Sequence, residues 1–216
     1  MPIGLGNGPV YSGRMKTLFT QRVVRFIAVL LVVGCSDEGR EQSPGMGTDV
    51  VAVSLSPDLI PDQSCIEQAA AMDLAAKTAY QTELRDLVVA TRSDFTFLAD
   101  ISMTFQITLA QLRAAKIGWL SHQGDARLTT TQGASAFTNF EWSIEDNTAF
   151  AAADPAHADL VAKAAQWREM NDNHKVWPSF RAWFGEALAS SDELAAITGQ
   201  LVTARNQLEV HLATCP

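Results

Sequence analysis

Eight apolar residues, Phe95, Leu98, Ile101, Phe105, Leu109, Leu112, Ala115 and Trp119, recur at steps of three and four, with no glycine or proline before Gly118. Only a helix of 3.6 residues per turn places all eight on one side. The spacing predicts a helix from about Ser93 to His122. Phe97, Met103, Ile107 and Ile117 widen its apolar face enough to make it central in whatever it packs against. Gly124 stands where a helix of that length would stop.

The flanking sequence supplies partners for it. From Ser64 to about Thr91 there is again no glycine or proline, and Ser64 with Glu67 reads as a capping box. Cys65, Ala69, Met72, Ala76 and Ala79 form a small-residue stripe suited to close packing, with Leu74, Leu84, Leu87 and Val88 adding bulk. Gly124–Gly133 reads as the longest loop, and Ala134–Phe150 as a further helix of weaker propensity. Asp154-Pro155 is a cap followed by a first-turn proline, opening a helix through about Asn171. Pro178 is expected to break or kink the chain ahead of a short aromatic helix, Ser179–Ser190. Ser190 with Glu193 reads as a second capping box. The last helix then carries Leu194, Ile197, Leu201, Ala204, Leu208, His211 and Cys215 as a seam. No sheet and no internal repeat is legible, so the expected fold is all-α. It is an antiparallel helical bundle, four-helix-like with extra short helices, spanning residues 62–216.

Ahead of the helical region lies a different kind of sequence. Phe26–Val33 (FIAVLLVV) is apolar but only eight residues long, well short of the roughly 20 that cross a bilayer as a helix. Lys16, Arg22 and Arg25 precede it and no acidic residue occurs before Asp37, the charge order of an export signal. The run ends in Val32-Val33-Gly34-Cys35, which resembles the lipobox of bacterial lipoproteins. That resemblance implies cleavage after Gly34, diacylglycerol on the Cys35 sulfur and acylation of the new amino group, several chains together holding the protein to a lipid bilayer. Ser36, rather than aspartate, after the cysteine implies an outer-membrane address, facing the periplasm or the cell surface. Residues 1–34 are then a signal peptide, with Met15 a better start than Met1 because MKTLFTQRVVRFIAVLLVVGC is a complete signal. Residues 35–61, rich in Gly, Pro, Ser and acids apart from Val50–Leu55, read as a flexible lipid-anchored linker reaching about 25–30 Å.

Cleavage there leaves 182 residues, enough for one domain with a real core. Four of the 16 basic residues precede Cys35 and none of the 24 acidic ones do, so the exported part carries 12 basic against 24 acidic residues, a net −12. A surface of that sign repels phosphate backbones, which argues against nucleic acid as a partner and favours cationic ones. Cys65 and Cys215 make an even pair in a compartment where disulfides persist. A bridge between them is expected, two free buried thiols being the alternative. Around a loop of about 150 residues it contributes on the order of 5 kcal/mol at most.

Four groups of residues are candidates for function. Trp167, Trp177, Phe180, Arg181, Trp183 and Phe184 gather aromatic area and an arginine around Pro178, the composition of an interaction surface or of an apolar ligand pocket, and equally of a core cluster. His211 lies on the last seam and Met72 on the first stripe. In topology and ligand type they are similar to the axial pair of the soluble b-type cytochromes, which implies haem iron held by Met72 and His211 as an alternative function. A hydrogen-bonded histidine beside a packing methionine is the other reading. Glu141, Glu145 and Asp146, and separately Glu169, Asp172 and His174, are placed to hold a divalent metal or to form a solvated helix face. No Glu-x-x-His pair, His-Glu-x-x-His, Cys-x-x-Cys-His, Gly-x-Ser-x-Gly or phosphate loop occurs. The expectation is a non-catalytic envelope lipoprotein that binds a protein or small ligand, with no cofactor in the leading reading.

Overall fold

The computed structural model describes residues 62–128, 130 and 132–215. The signal peptide, Cys35 and the linker with Val50–Leu55 lie outside the described residues. The elements are α1 (Gln63–Thr91), a 3₁₀ turn (Ser93–Phe95), α2 (Thr96–His122), α3 (Gly133–Thr138), α4 (Ile144–Ala153), α5 (Pro155–Asp172), α6 (Trp177–Trp183) running into a π turn (Phe184–Leu188), and α7 (Asp192–Thr214). Among the described residues there is no strand, and no helix is long and apolar enough to cross a membrane.

The chain is an all-α helical bundle. α1 packs on both α2 and α7, and α2 packs in turn on α5. Neighbours run antiparallel: a short turn joins α1 to α2, and a disulfide joins Cys65 at the start of α1 to Cys215 at the end of α7. The Phe97 ring at the start of α2 meets His174 just past the end of α5, centroids 5.5 Å apart.

Helix ends follow local chemistry, with a few shifts from the sequence reading. α1 is capped by Asp62, whose carboxylate accepts from the Ser64 N–H at 3.1 Å and from its hydroxyl at 2.7 Å, so Ser64 is inside the helix and no Ser64–Glu67 box forms. α7 is likewise capped one residue later than expected, by Ser191 accepting from the Leu194 N–H. The predicted helix Ala134–Phe150 is two short ones, because Ser143 and Asp146 form a reciprocal capping box that restarts the helix at Ile144. Asp154 and Pro155 open α5 as read from the sequence. Pro178 does not break a helix. It occupies the first turn of α6, where a missing N–H costs nothing, and the chain turns earlier, over Asn173–Val176.

Gly124 ends α2 with φ 62°. Its N–H donates to the Ser121 carbonyl and that of Asp125 to Leu120, which satisfies two otherwise orphaned carbonyls. Gly133, with φ 78°, starts α3 for a different reason. A Cβ there would sit 2.6 Å from Glu209 Oε2, the atom that accepts from the Ala134 N–H at 2.8 Å and ties α3 to α7.

The apolar interior is divided. At one end Tyr80, Leu84, Phe95, Phe180, Phe184 and Leu194 belong to one cluster. At the other, Ile66, Ala69, Ile117, Leu120, Phe137 and Leu208 belong to a second. The stripe that starts at Phe95 is buried as expected at Phe95, Leu98, Ile101 and Phe105, and so is Ile117, while Thr108, Ala110 and Leu120 also take the interior. Phe97, expected to widen that face, is 64% exposed. On α1 the buried residues are Ala69, Leu84 and Val88, as expected, with Ile66, Ala70 and Tyr80 beside them; of the predicted stripe Cys65, Met72 and Ala76 are half-buried and Ala79 faces out.

Both glycines adopt a conformation that strains an L side chain, but only Gly133 also gives Glu209 its approach. In urea titrations Gly133→Ala should cost about 2 kcal/mol and Gly124→Ala about 1; equal losses would show that the Glu209 contact contributes nothing.

Candidate functional site

The residues between the two apolar clusters were not singled out by sequence. Following the α1 seam from Ala70 to Tyr80 by steps of three and four, the intervening positions are Asp73 and Lys77. Both are mostly buried, their side chains 14% and 29% exposed, and Lys77 Nζ lies 2.6 Å from Asp73 Oδ2. Arg113 of α2 and Arg205 of α7 add positive charge around Lys77. Burial first, then Arg113, pull the Lys77 ammonium down to about 8, with Asp73 opposing. One turn on, burial raises the Tyr80 phenol. Asp73 and Lys77 of α1, with half-buried Arg113 of α2 and exposed Arg205 of α7, thus form a charged layer that runs out to the surface of a domain that is acidic overall. A lysine held near neutrality is able to act as an amine or as an ammonium.

About 12 Å down α1 from Asp73, by eight residues of helical rise, lies the Cys65–Cys215 disulfide, Cα to Cα 5.8 Å. The expected bridge is therefore present. His211 precedes Cys215 by one turn and faces the same way. Its Nε2 lies 3.1 Å from the Cys65 carbonyl oxygen and 3.5 Å from Cys65 Sγ. As the carbonyl only accepts, Nε2 carries the proton of that bond. Met72 is half-buried against the lower apolar cluster, while the His211 ring is turned to Cys65.

The aromatic group around Pro178 is mainly core. Phe180 and Phe184 are 6% and 7% exposed, and the π turn, closed by the Ala189 N–H donating to the Phe184 carbonyl, brings Leu188 onto the same inward face. Phe180 meets Phe95 edge-on at 5.4 Å. These two phenylalanines therefore cannot belong to an interaction surface, because burying them is what attaches α6 to the bundle. Trp167 stands apart on α5, and among the described residues it makes no ring contact with this group. What reaches the surface is the edge of Trp177 with the Arg181 guanidinium 5.3 Å over its ring, and half-buried Trp183 under Arg92. The Trp177 N–H donates to the Asn171 carbonyl. A cavity of about 20 Å³ beside Trp177 and Phe180, lined also by Gln81 and Ser102, has room for one water.

The carboxylate groups do not converge. Asp146 is taken by Arg127, at 2.6 and 3.1 Å, which also binds Asp125 at 2.8 Å; Arg127 first, and the Ser143 N–H second, hold Asp146 down to about 2. Glu141 and Glu145 are exposed, and only the Glu141 backbone carbonyl joins this pair. His174 accepts from the Val176 N–H through Nδ1 and shares no cluster with Glu169 and Asp172. Among the described residues the one group of three or more His, Cys, Asp or Glu side chains placed to share a metal is Cys65, His211 and Cys215.

A second aromatic group also escaped the sequence reading. Trp119, Trp142 and Phe150 meet pairwise edge-on at 5.7 to 6.0 Å, with Lys116 Nζ 4.3 Å over Trp142 and His157 stacked on Phe150. It fastens the α4 segment to the end of α2. The chain matches no protein-family model, no curated protein and no solved structure.

Because the folded Lys77 pKa lies below the 10.5 of an ordinary lysine, the unfolded chain binds more protons between about pH 8 and 10.5, and this group's contribution to stability rises with pH across that window. The urea-derived stability of the wild type relative to Lys77→Met should therefore increase from pH 7.5 to pH 10.5. A difference flat in pH would mean that Lys77 titrates as an exposed lysine.

Proposed function

We propose that this chain is a bacterial envelope lipoprotein, anchored to the outer membrane through acylated Cys35. It carries a helical domain on a flexible linker, facing the periplasm or the cell surface, and that domain binds a protein or small-ligand partner. The observation that carries the reading is the Cys65–Cys215 disulfide. It closes the folded domain at the end where the linker joins it, and disulfides of this structural kind persist in exported proteins. It agrees with the export signal read independently from Lys16 to Cys35.

The fold suits such an arrangement. The described domain begins at Asp62, beside the stapled ends of α1 and α7, and its other end lies at the opposite tip of the bundle. That far end presents Trp177 with Arg181, together with Phe97, an aromatic and cationic composition typical of partner contacts.

Lipidation is tested by expressing the full chain in a bacterium with isotopically labelled palmitate. Label and membrane sedimentation are expected for the wild type and absent from Cys35→Ser, while Cys65 and Cys215 stay protected from alkylation in both. Label retained in Cys35→Ser, or thiols alkylated without reduction in the wild type, would reject the reading.

A further inference from the structure

Three features offer more than anchoring: the charged layer at Lys77, the exposed Phe97 edge, and the Cys65–His211–Cys215 cluster. Nothing in the structure points to a ligand for the first or shows what covers the second. The third is a set of donors whose chemistry and spacing specify what they take.

We propose that the Cys65–Cys215 disulfide is the closed form of a divalent-metal site. Once the bond is reduced, the two thiolates and His211 Nε2 bind a borderline-soft cation of the zinc class, leaving the fourth position open to solvent. The donor atoms of the three residues already lie within 4.8 Å of one another. Zinc takes sulfur at about 2.3 Å and nitrogen at about 2.0–2.1 Å, and a tetrahedral angle between them sets the two donors about 3.5 Å apart. Cys65 Sγ and His211 Nε2 are 3.5 Å apart in the oxidised protein, so that edge of the site exists before any metal arrives.

The remaining adjustment is small and falls where the chain yields. On a zinc ion two thiolates stand about 3.8 Å apart by the same geometry, so the sulfurs must separate. Cys215 is the C-cap of α7, beyond its last helical turn, and its side chain can swing without breaking the helix. His211 and Cys215, four residues apart, present their donors on one face. Two thiolates and an imidazole select zinc-like ions over magnesium or calcium, which prefer oxygen donors. The domain from Asp62 onward carries 11 basic against 19 acidic residues, a net charge of −8, and this also concentrates cations around it.

The chemistry balances with a protein or small-molecule dithiol as reductant. One of its thiolates attacks a sulfur of the Cys65–Cys215 bond to form a mixed disulfide, and its second thiol resolves that bond. The reductant leaves as a disulfide, having passed two electrons to the protein. Metal binding then releases one proton from each cysteine, and the imidazole proton moves from Nε2 to Nδ1, freeing Nε2 as a ligand. Disulfide and metal are mutually exclusive, because each uses the same two sulfurs.

The test uses the full chain in detergent with Cys35→Ser, so that only two thiols remain. It is reduced with a phosphine, freed of reductant and titrated with Co²⁺. The expected result is a thiolate-to-cobalt charge-transfer band with the strong visible absorption of tetrahedral cobalt, lost on adding Zn²⁺ and never seen in oxidised protein. His211→Ala should weaken Co²⁺ binding at least tenfold, and Cys215→Ser should abolish the two-thiolate spectrum. Helicity is followed throughout by circular dichroism. The proposal is overturned by the absence of charge transfer in the reduced protein, by His211→Ala binding as tightly as its parent, or by a loss of helicity on reduction that Zn²⁺ does not restore.

Discussion

The Asp73–Lys77 pair sits on the inward seam of α1, and the packing of the three longest helices depends on how it is accommodated. Taking a carboxylate and an ammonium out of water costs several kcal/mol for each ion before their mutual attraction is counted. The fold meets that cost by keeping both side chains partly wet and close together. Arg113 and Arg205 add their charge to the same layer, and the apolar core has one cluster above it and one below. The two clusters hold the helices together, and the charged layer constrains their register, since sliding α1 by one turn would bury the pair in hydrocarbon.

Each cluster also fastens the irregular parts of the chain. Above the layer, the π turn rotates Phe184 and Leu188 inward beside Phe180, so a short and otherwise marginal helix becomes part of the core. Below it, Phe137 and Leu128 are buried, Glu209 holds the start of α3, and Arg127 bridges Asp125 to Asp146. Segments too short to be helical in isolation are stable here because packing, rather than propensity, supports them.

The long helices were legible because their signals are local. Steps of three and four, a cap at Asp154, a proline in the first turn and a glycine after His122 are read from neighbouring residues, and the structure agrees to within a residue or two. The break between α3 and α4 was local as well, but Ser143 and Asp146 form a capping box whose N3 residue is aspartate rather than glutamate, and it was overlooked. The α1 seam was read only in part, for a different reason. Alanines on both sides of a helix make more than one stripe plausible, and the true one passes through two charges that a hydrophobic pattern discards.

Sequence alone determined the fold class and the acidic balance, and it pointed to the pairing of Cys65 with Cys215, because each depends on composition or on order along the chain. Only the tertiary structure decided that Phe180 and Phe184 are interior, that Glu141, Glu145 and Asp146 do not converge, that Lys77 lies among three other charges, and that His211 stands against Cys65. Those relations join residues up to about 150 positions apart. Side-chain direction at such a distance is set by how helices rotate against one another, which no local pattern encodes.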